Sequence, residues 1–210
     1  VEPYSILSVT FTKKAANEMR QRAVAMEERA QSSVIRTFHS FGSWFLRKFS
    51  QEVGLIPSFT VYDDSDMEVL LKKAVPSLSS KEAKLAAHQI SLAKDYFLTP
   101  EDDLTLLGSE FDINQIYFEY EKRLRSTGNV DFGDLIMKPA QIMEQYQDIE
   151  NNIHNRFKVV MVDEYQDSNI AQYKLLQKIS GVERNTGNYV CVVGDDDQSI
   201  YKFRGAEVQN

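Results

Sequence analysis

The chain has 210 residues, 42% of them hydrophobic, and carries 24 Lys/Arg against 31 Asp/Glu for a formal net charge of −7. This is enough apolar material for one sizeable domain or two small ones, and no stretch approaches the uninterrupted apolar length of a membrane-spanning helix. A single cysteine, Cys191, excludes an internal disulfide framework and favours a reducing, cytoplasmic setting.

The opening segment YSILSVTF reads as a short buried strand, with Ile6, Leu7, Val9 and Phe11 apolar. Thr12 is a candidate N-cap for KKAANEMRQRAVAMEERAQ, which is rich in good helix formers. SVIRTF then reads as a second strand, and strand–helix–strand order is the mark of a parallel sheet. From about Ser40 the pattern turns helical. FGSWFLRKFSQEV carries a Trp44/Phe45/Phe49 stripe suited to a core, and FTVYDDSDMEVLLKKAV gives a brief extended piece and an Asp-capped helix. Beyond Pro76, a serine cap opens SSKEAKLAAHQISLAKDYFL, and Pro100 is expected to begin a short helix, PEDDLTLL. DINQIYFEYEKRLRSTG is amphipathic and ends at Gly128, a natural C′ residue; in the helix that follows, Pro139 is expected to kink it or end its first part.

Past Asn155 the strand–helix–strand pattern returns as FKVVMVD, SNIAQYKLLQKIS and NYVCVVGD, the last read as a buried strand with Cys191 inside it. The expected fold class is therefore α/β: a partial parallel-sheet domain from residues 1–40 and 155–210, interrupted by a large all-helical insertion at 41–154.

The charge is unevenly placed. Residues 1–60 hold eight Lys/Arg against five acidic residues, so the acidic excess lies in 61–210. A locally basic face on an acidic protein still attracts phosphate, because salt screens the distant charges. In VVMVDEYQDSN the aliphatic run Val159–Val162 meets Asp163, Glu164, Gln166 and Asp167 with almost no spacer. Acids at the end of an interior strand are costly unless a cation or polar ligand meets them, and in open parallel sheets ligands bind at the carboxyl ends of strands. A hydrophobic strand followed by Asp-Glu is the Walker B pattern, in which the aspartate holds Mg²⁺ and the glutamate orients or deprotonates the attacking water. Asp195, at the end of YVCVVGD, is a second acid in the equivalent place.

Four strings in fixed order, TFTKKAANEMRQR, IRTFHSFG, DEYQDSNIAQY and VVGDDDQSIYKFRGA, together with YFEYEKRL and VDFGDLIM, carry a resemblance over nearly the whole chain. The chain resembles the superfamily 1 DNA helicases of the UvrD/Rep/PcrA type. The resemblance implies a RecA-like domain of the P-loop NTPase type (1A) carrying domain 1B, ATP and Mg²⁺ as cofactors, and single-stranded DNA and its junctions with duplex as partners. It implies 3′→5′ unwinding in repair or replication. By it, Asp163 and Glu164 are the Mg²⁺ and water-activating pair, Gln198 senses the γ-phosphate, and Gln166, Asp167 and Asp195 support that network. Phe11, Thr12, Lys13, Thr37 and His39 are the DNA contacts of the first strings, with Tyr201, Phe203 and Arg204 those of the last. Phe203 stands where the family commonly has tryptophan.

No GxxxxGK[ST] string occurs in the chain. A phosphate-cradling loop of that form is required for turnover, so these residues alone are expected to be inactive, and an incomplete sheet is expected to self-associate. Two other readings share the strings: a helicase–nuclease subunit of the RecB/AddA type, and a non-catalytic DNA-binding module on the same fold.

Overall fold

The computed structural model describes residues 1–109, 111–184 and 186–195. Its strands are β1 (Ile6–Thr10), β2 (Val34–Thr37), β3 (Val61–Tyr62), β4 (Val130–Asp131), β5 (Val159–Val162) and β6 (Tyr189–Val192). Four of them form an all-parallel sheet in the order β2-β1-β5-β6. Leu7 pairs with Val34 and Val160, and Val160 with Val190, which puts these side chains on one face. Ser8, Ile35, Met161 and Cys191 share the other face by the same register.

The helices are α1 (Lys13–Met26), α2 (Phe38–Lys48), α3 (Asp64–Ala74), α4 (Ser80–Asp95), α5 (Ile113–Thr127), α6 (Asp134–Gln145), α7 (Gln147–Arg156) and α8 (Ile170–Ser180). Their starts follow local chemistry. Thr12 accepts a hydrogen bond from the Ala15 amide, and Asp63, Ser79 and Asn169 each close a reciprocal capping box, satisfying amides that a helix N-terminus leaves free. Gly128 closes α5 in the left-handed conformation at φ 69°.

Two hydrophobic cores result. The larger lies against the Leu7/Val9/Val160/Val162 face and includes Phe41 and Phe45 of α2, Ile136 and Met143 of α6, Ile153 of α7 and Leu175 of α8. The smaller is built by Met67 and Leu71 of α3, Ile90 of α4, and Tyr117, Tyr120 and Leu124 of α5.

Where they meet, α4 places Lys94 at 1% exposure beside three buried carboxylates: Glu121 at 2.6 Å, Asp131 at 2.6 Å and Asp134 at 2.8 Å. Those carboxylates have ligand atoms within 4.8 Å of one another, the spacing of a cation site, and the lysine ammonium is the cation that fills it. Burial alone would lower the Lys94 pKa, but attraction to Asp131, Asp134 and Glu121 holds it well above its ordinary value. Asp131 is pushed up, by burial first and by Asp134 next, and the Tyr120 hydroxyl donates to it at 2.9 Å. Asp134 stays low despite its burial because Lys138 and Lys94 flank it.

Several expectations are revised. The middle of the chain is not all helical, because β3 and β4 pair in parallel, Val61 with Val130 and Tyr62 with Asp131. No helix begins at Pro100. Asp102 accepts from the Thr99 amide and hydroxyl and Asp103 from the Thr105 amide, side-chain bonds that compete with helix formation, and only a 3₁₀ turn at Thr105–Leu107 forms. Pro139 does not end its helix, since α6 runs through it to Gln145. Proline has no amide to give the carbonyl four residues earlier, that of Leu135, and α2 presses Gly42 against this carbonyl. The strand β6 is not buried. It is an edge of the described sheet, all four of its residues are exposed, and Cys191 is exposed with them.

Two substitutions probe this framework. A Cβ at Gly42 would overlap the Leu135 carbonyl oxygen, so Gly42→Ala is expected to cost about 1–3 kcal/mol or more by forcing α2 from α6, read from urea unfolding. Lys94→Met would leave buried carboxylates unpaired and is expected to cost about 3–5 kcal/mol in the same assay; a midpoint within error of the unmodified protein would refute the ion cluster as a stabilising feature.

Candidate active site and nucleic-acid interface

Parallel register brings the carboxyl ends of β1, β2 and β5 to one rim, where Thr10, Thr37 and Asp163 stand. The Asp163 amide donates to the Val9 carbonyl at 3.1 Å, continuing the ladder to the last residue before the acids. Glu164 then adopts the left-handed conformation, φ 55° and ψ 41°. A non-glycine residue there carries strain, and the turn that follows compensates it: the Asp167 amide bonds the Glu164 carbonyl and the Ser168 amide that of Tyr165, each at 3.0 Å.

This turn buries Gln166, whose amide nitrogen donates to the Glu164 carboxylate at 2.6 Å while its oxygen accepts from the Asp195 amide at 3.0 Å. The Tyr165 amide bonds the Val193 carbonyl at 3.0 Å. One side chain thus ties the acid after β5 to the loop after β6. A Cβ on Gly194 would come within 2.6 Å of the Gln166 oxygen, so a side chain there would oblige the Gln166 amide to shift. Asp163 is half-buried and Glu164 exposed. Asp167 has its carboxyl pKa raised, by burial first and by the Glu164 charge second.

An oxygen-only donor set is what Mg²⁺ takes, and Mg²⁺ keeps several waters while using one or two carboxylates. The rim fits that demand: Asp163 and Glu164 are adjacent, and buried Thr10 Oγ1, Asp167 Oδ1 and Ser168 Oγ have no protein partner. A closed protein cage is not formed here; among the described residues the carboxylate cluster with metal-ligand spacing is the one that Lys94 fills.

The expected nucleic-acid contacts split into two groups. Phe11 packs on Phe38 at 5.3 Å between ring centroids and is half-buried, Thr12 is exposed while capping α1, and Lys13 is exposed. Thr37 is buried as the cap of α2. His39 sits in the first turn of α2 with its pKa lowered by burial, so at neutral pH the ring is a neutral hydrogen-bonding group rather than a charge. Gln198, Tyr201, Phe203 and Arg204 lie outside the described residues.

Phe132 is a residue the sequence reading passed over. It is 52% exposed, and its ring stands edge-on to His39 at 5.7 Å. Asp131 and Asp134, on either side of it, are both held by Lys94, so an exposed aromatic face is carried on a turn anchored in the buried ion cluster. The available signal was an aromatic residue between the two acids of VDFGD, which burial statistics alone assign to the core.

A parallel sheet that carries the larger core on one face and gathers carboxylates, amides and hydroxyls at its carboxyl rim is an α/β domain, and that rim is where open parallel sheets take their ligands. The model of the UvrD/REP helicase N-terminal domain matches residues 1–210, and the chain belongs to that family. It is 38% identical over 219 residues to the ATP-dependent DNA helicase UvrD1 of Mycobacterium tuberculosis, covering 98% of this chain and 28% of that protein. Against the ATP-dependent DNA helicase PcrA, identity is 37% over 218 residues for the Staphylococcus epidermidis protein and 35% over 218 for that of Staphylococcus aureus; each covers 100% of this chain and 29% of the relative. The chain therefore spans under a third of the length of these relatives.

The His39 shift sets a pH dependence. A folded-state pKa below the unfolded value of about 6.5 means the unfolded chain binds the proton more readily, so this contribution to stability is present above pH ~6.5 and is lost as pH falls. Urea midpoints followed from about pH 7.5 to 5 are expected to fall more steeply for the unmodified protein than for His39→Gln; parallel curves would remove His39 as the origin.

Proposed function

We propose that the chain is the N-terminal portion, domains 1A and 1B, of an ATP-dependent 3′→5′ DNA helicase that acts on single-stranded DNA and its junctions with duplex in repair or replication. The observation that carries this reading is the link Glu164–Gln166–Asp195 at the rim of the sheet. A binding module has no need to hold an exposed carboxylate in a strained backbone and wire it to the next strand, whereas an ATPase needs a positioned water-activating group whose surroundings reorganise when a phosphate leaves.

In this reading Asp163 holds Mg²⁺ through water and Glu164 orients the attacking water, with Gln166, Asp167, Asp195 and Gln198 in the network around the γ-phosphate. The Mg²⁺ ion supplies neutralisation of charge on the β- and γ-phosphates. Phe11, Thr12, Lys13, Thr37 and His39, with Tyr201, Phe203 and Arg204, contact the DNA strand. Phe132 joins them as a stacking surface; base–aromatic stacking contributes about 1–3 kcal/mol per base. Domain 1A takes residues 1–40 and 155–210 and domain 1B residues 41–154. ATP binding and release would change the network that Gln166 closes, and the strand over the rim would move with it.

These 210 residues contain no phosphate-cradling GxxxxGK[ST] string, and by themselves they are expected neither to hydrolyse ATP nor to unwind DNA. The exposed, apolar β6, with Val190 at 37% and Val192 at 48% exposure, is a surface for self-association of the fragment. No helix among the described residues is long and apolar enough to cross a membrane, and a cytoplasmic site of action fits the single cysteine.

The deciding measurement is single-stranded-DNA-stimulated ATP hydrolysis by the full-length parent and its Glu164→Gln variant. Turnover is expected to fall by about 10²-fold or more with DNA binding retained. Turnover unaffected by the substitution would remove Glu164 from the chemistry, and a parent that binds DNA without turnover would establish the non-catalytic module instead.

A further inference from the structure

The indole of Trp44, half-buried on α2, is ringed by three cations. The Arg36 guanidinium carbon lies 5.8 Å from its centroid, the Lys48 ammonium 5.5 Å and the Arg156 guanidinium carbon 5.5 Å. They come from different elements, the end of β2, the last turn of α2 and the last turn of α7, so tertiary packing has assembled them. A fourth cation, Arg20 of α1, reaches the open edge of β2 and donates to the Ile35 carbonyl at 2.7 Å. Among the described residues none of Arg20, Arg36, Lys48 and Arg156 forms an ion pair with a carboxylate. This occurs on a chain with a net charge of −7, where acids are abundant.

Gathering like charges has a cost, visible in the pKa directions. Arg36 is lowered by burial first and then by Arg20 and Arg156, and Lys48 by burial and then by Arg156. The arc is also continuous with the rim. Lys13, Asn17, Arg20, Arg36, Thr37 and Ser40 line one polar pocket of about 420 Å³ between α1, β2 and the start of α2. A path of cations therefore leads from the expected DNA contacts Lys13 and Thr37, around the β2 edge, to Trp44.

We propose that this arc is a second nucleic-acid contact, in which Arg20, Arg36, Arg156 and Lys48 take the phosphates of a strand leaving the rim and Trp44 offers a stacking face for its bases. The proposal rests on the reading of the rim as a DNA-binding surface and extends it to residues to which the helicase resemblance assigns no role. A guanidinium carries five N–H donors, so Arg20 and Arg36, which each give one to a backbone carbonyl, retain others for phosphate oxygens, and cations alternating with an aromatic ring are the pattern that binds single strands without sequence preference. An acidic polypeptide would use the cations but does not carry an aromatic base on every unit to stack on the indole.

Trp44 is the only tryptophan of the chain, so its fluorescence reports on this site alone. An oligothymidylate is titrated at low salt while fluorescence anisotropy of a labelled copy reports total binding. Trp44 emission is expected to change saturably, in step with the anisotropy. Arg156→Gln and Lys48→Gln, both at exposed positions, are each expected to weaken binding severalfold and to lower the salt slope by about 1.

Binding by anisotropy with silent Trp44 emission, or with both variants binding as the unmodified chain does, would overturn the arc and leave the rim reading standing. Absence of any binding at low salt would overturn both. An equal emission change with polyglutamate at the same concentration of charge would overturn nucleic acid as the ligand class.

Discussion

The structure turns on one buried ammonium. Lys94 is the cation at which α4, α5, β4 and the start of α6 converge, and its three carboxylate partners come from parts of the chain more than twenty residues away. Without it, Glu121, Asp131 and Asp134 would place several negative charges in a nearly dry space, at a cost of about 3–5 kcal/mol. With it, the smaller helical core is locked to the larger one. Lys138, at 3.4 Å from Asp134 and 3.7 Å from Glu121, shares the remaining charge. The turn that the cluster grips presents Phe132 to solvent beside His39. The next residue of α4, Asp95, accepts a hydrogen bond at 2.8 Å from Asn169, the cap of the helix that follows the acidic turn. Acidic turn, ion cluster and exposed aromatic are thus joined by direct contacts.

At the rim, a second constraint operates on a smaller scale. Parallel strands in register deliver their last residues to one line, so that short polar segments separated by more than a hundred residues of sequence meet. The backbone of Glu164 is held in an unfavourable conformation by the bonds of Gln166 and Asp167. Strain that the surroundings maintain is a means of keeping a carboxylate aimed before any ligand arrives. Gly194 lies against the same amide, and a Cβ there would come within 2.6 Å of the Gln166 oxygen.

Charge is partitioned between the two sides of the sheet. Acids collect after β5 and β6, while Arg20 and Arg36 bracket the opposite edge strand, β2, and Arg156 and Lys48 meet Arg36 around Trp44. Within a Debye length of about 8–10 Å each group responds mainly to its own neighbourhood. An overall negative charge therefore coexists with a locally cationic surface, and the total says little about what the protein binds.

The sequence by itself determined most of the secondary structure and the positions of the polar strings. Short apolar strand runs, capping residues at Thr12 and Ser79, the acidic cap before α3 and the glycine after α5 are local, and local preferences are consistent with the fold here. The Asp-Glu pair was legible for the same reason: its meaning lies in the few residues around it. What only the tertiary structure decided are the features set by neighbours distant in sequence. The burial of Lys94, the close approach of Gly42 to the Leu135 carbonyl that Pro139 leaves without its amide, the exposure of β6 and Cys191 at an edge of the described sheet, and the ring of cations around Trp44 all depend on which element packs against which. A lysine, a proline, an apolar strand and a tryptophan each look ordinary in the sequence. Their energies follow from the environment that the folded chain supplies.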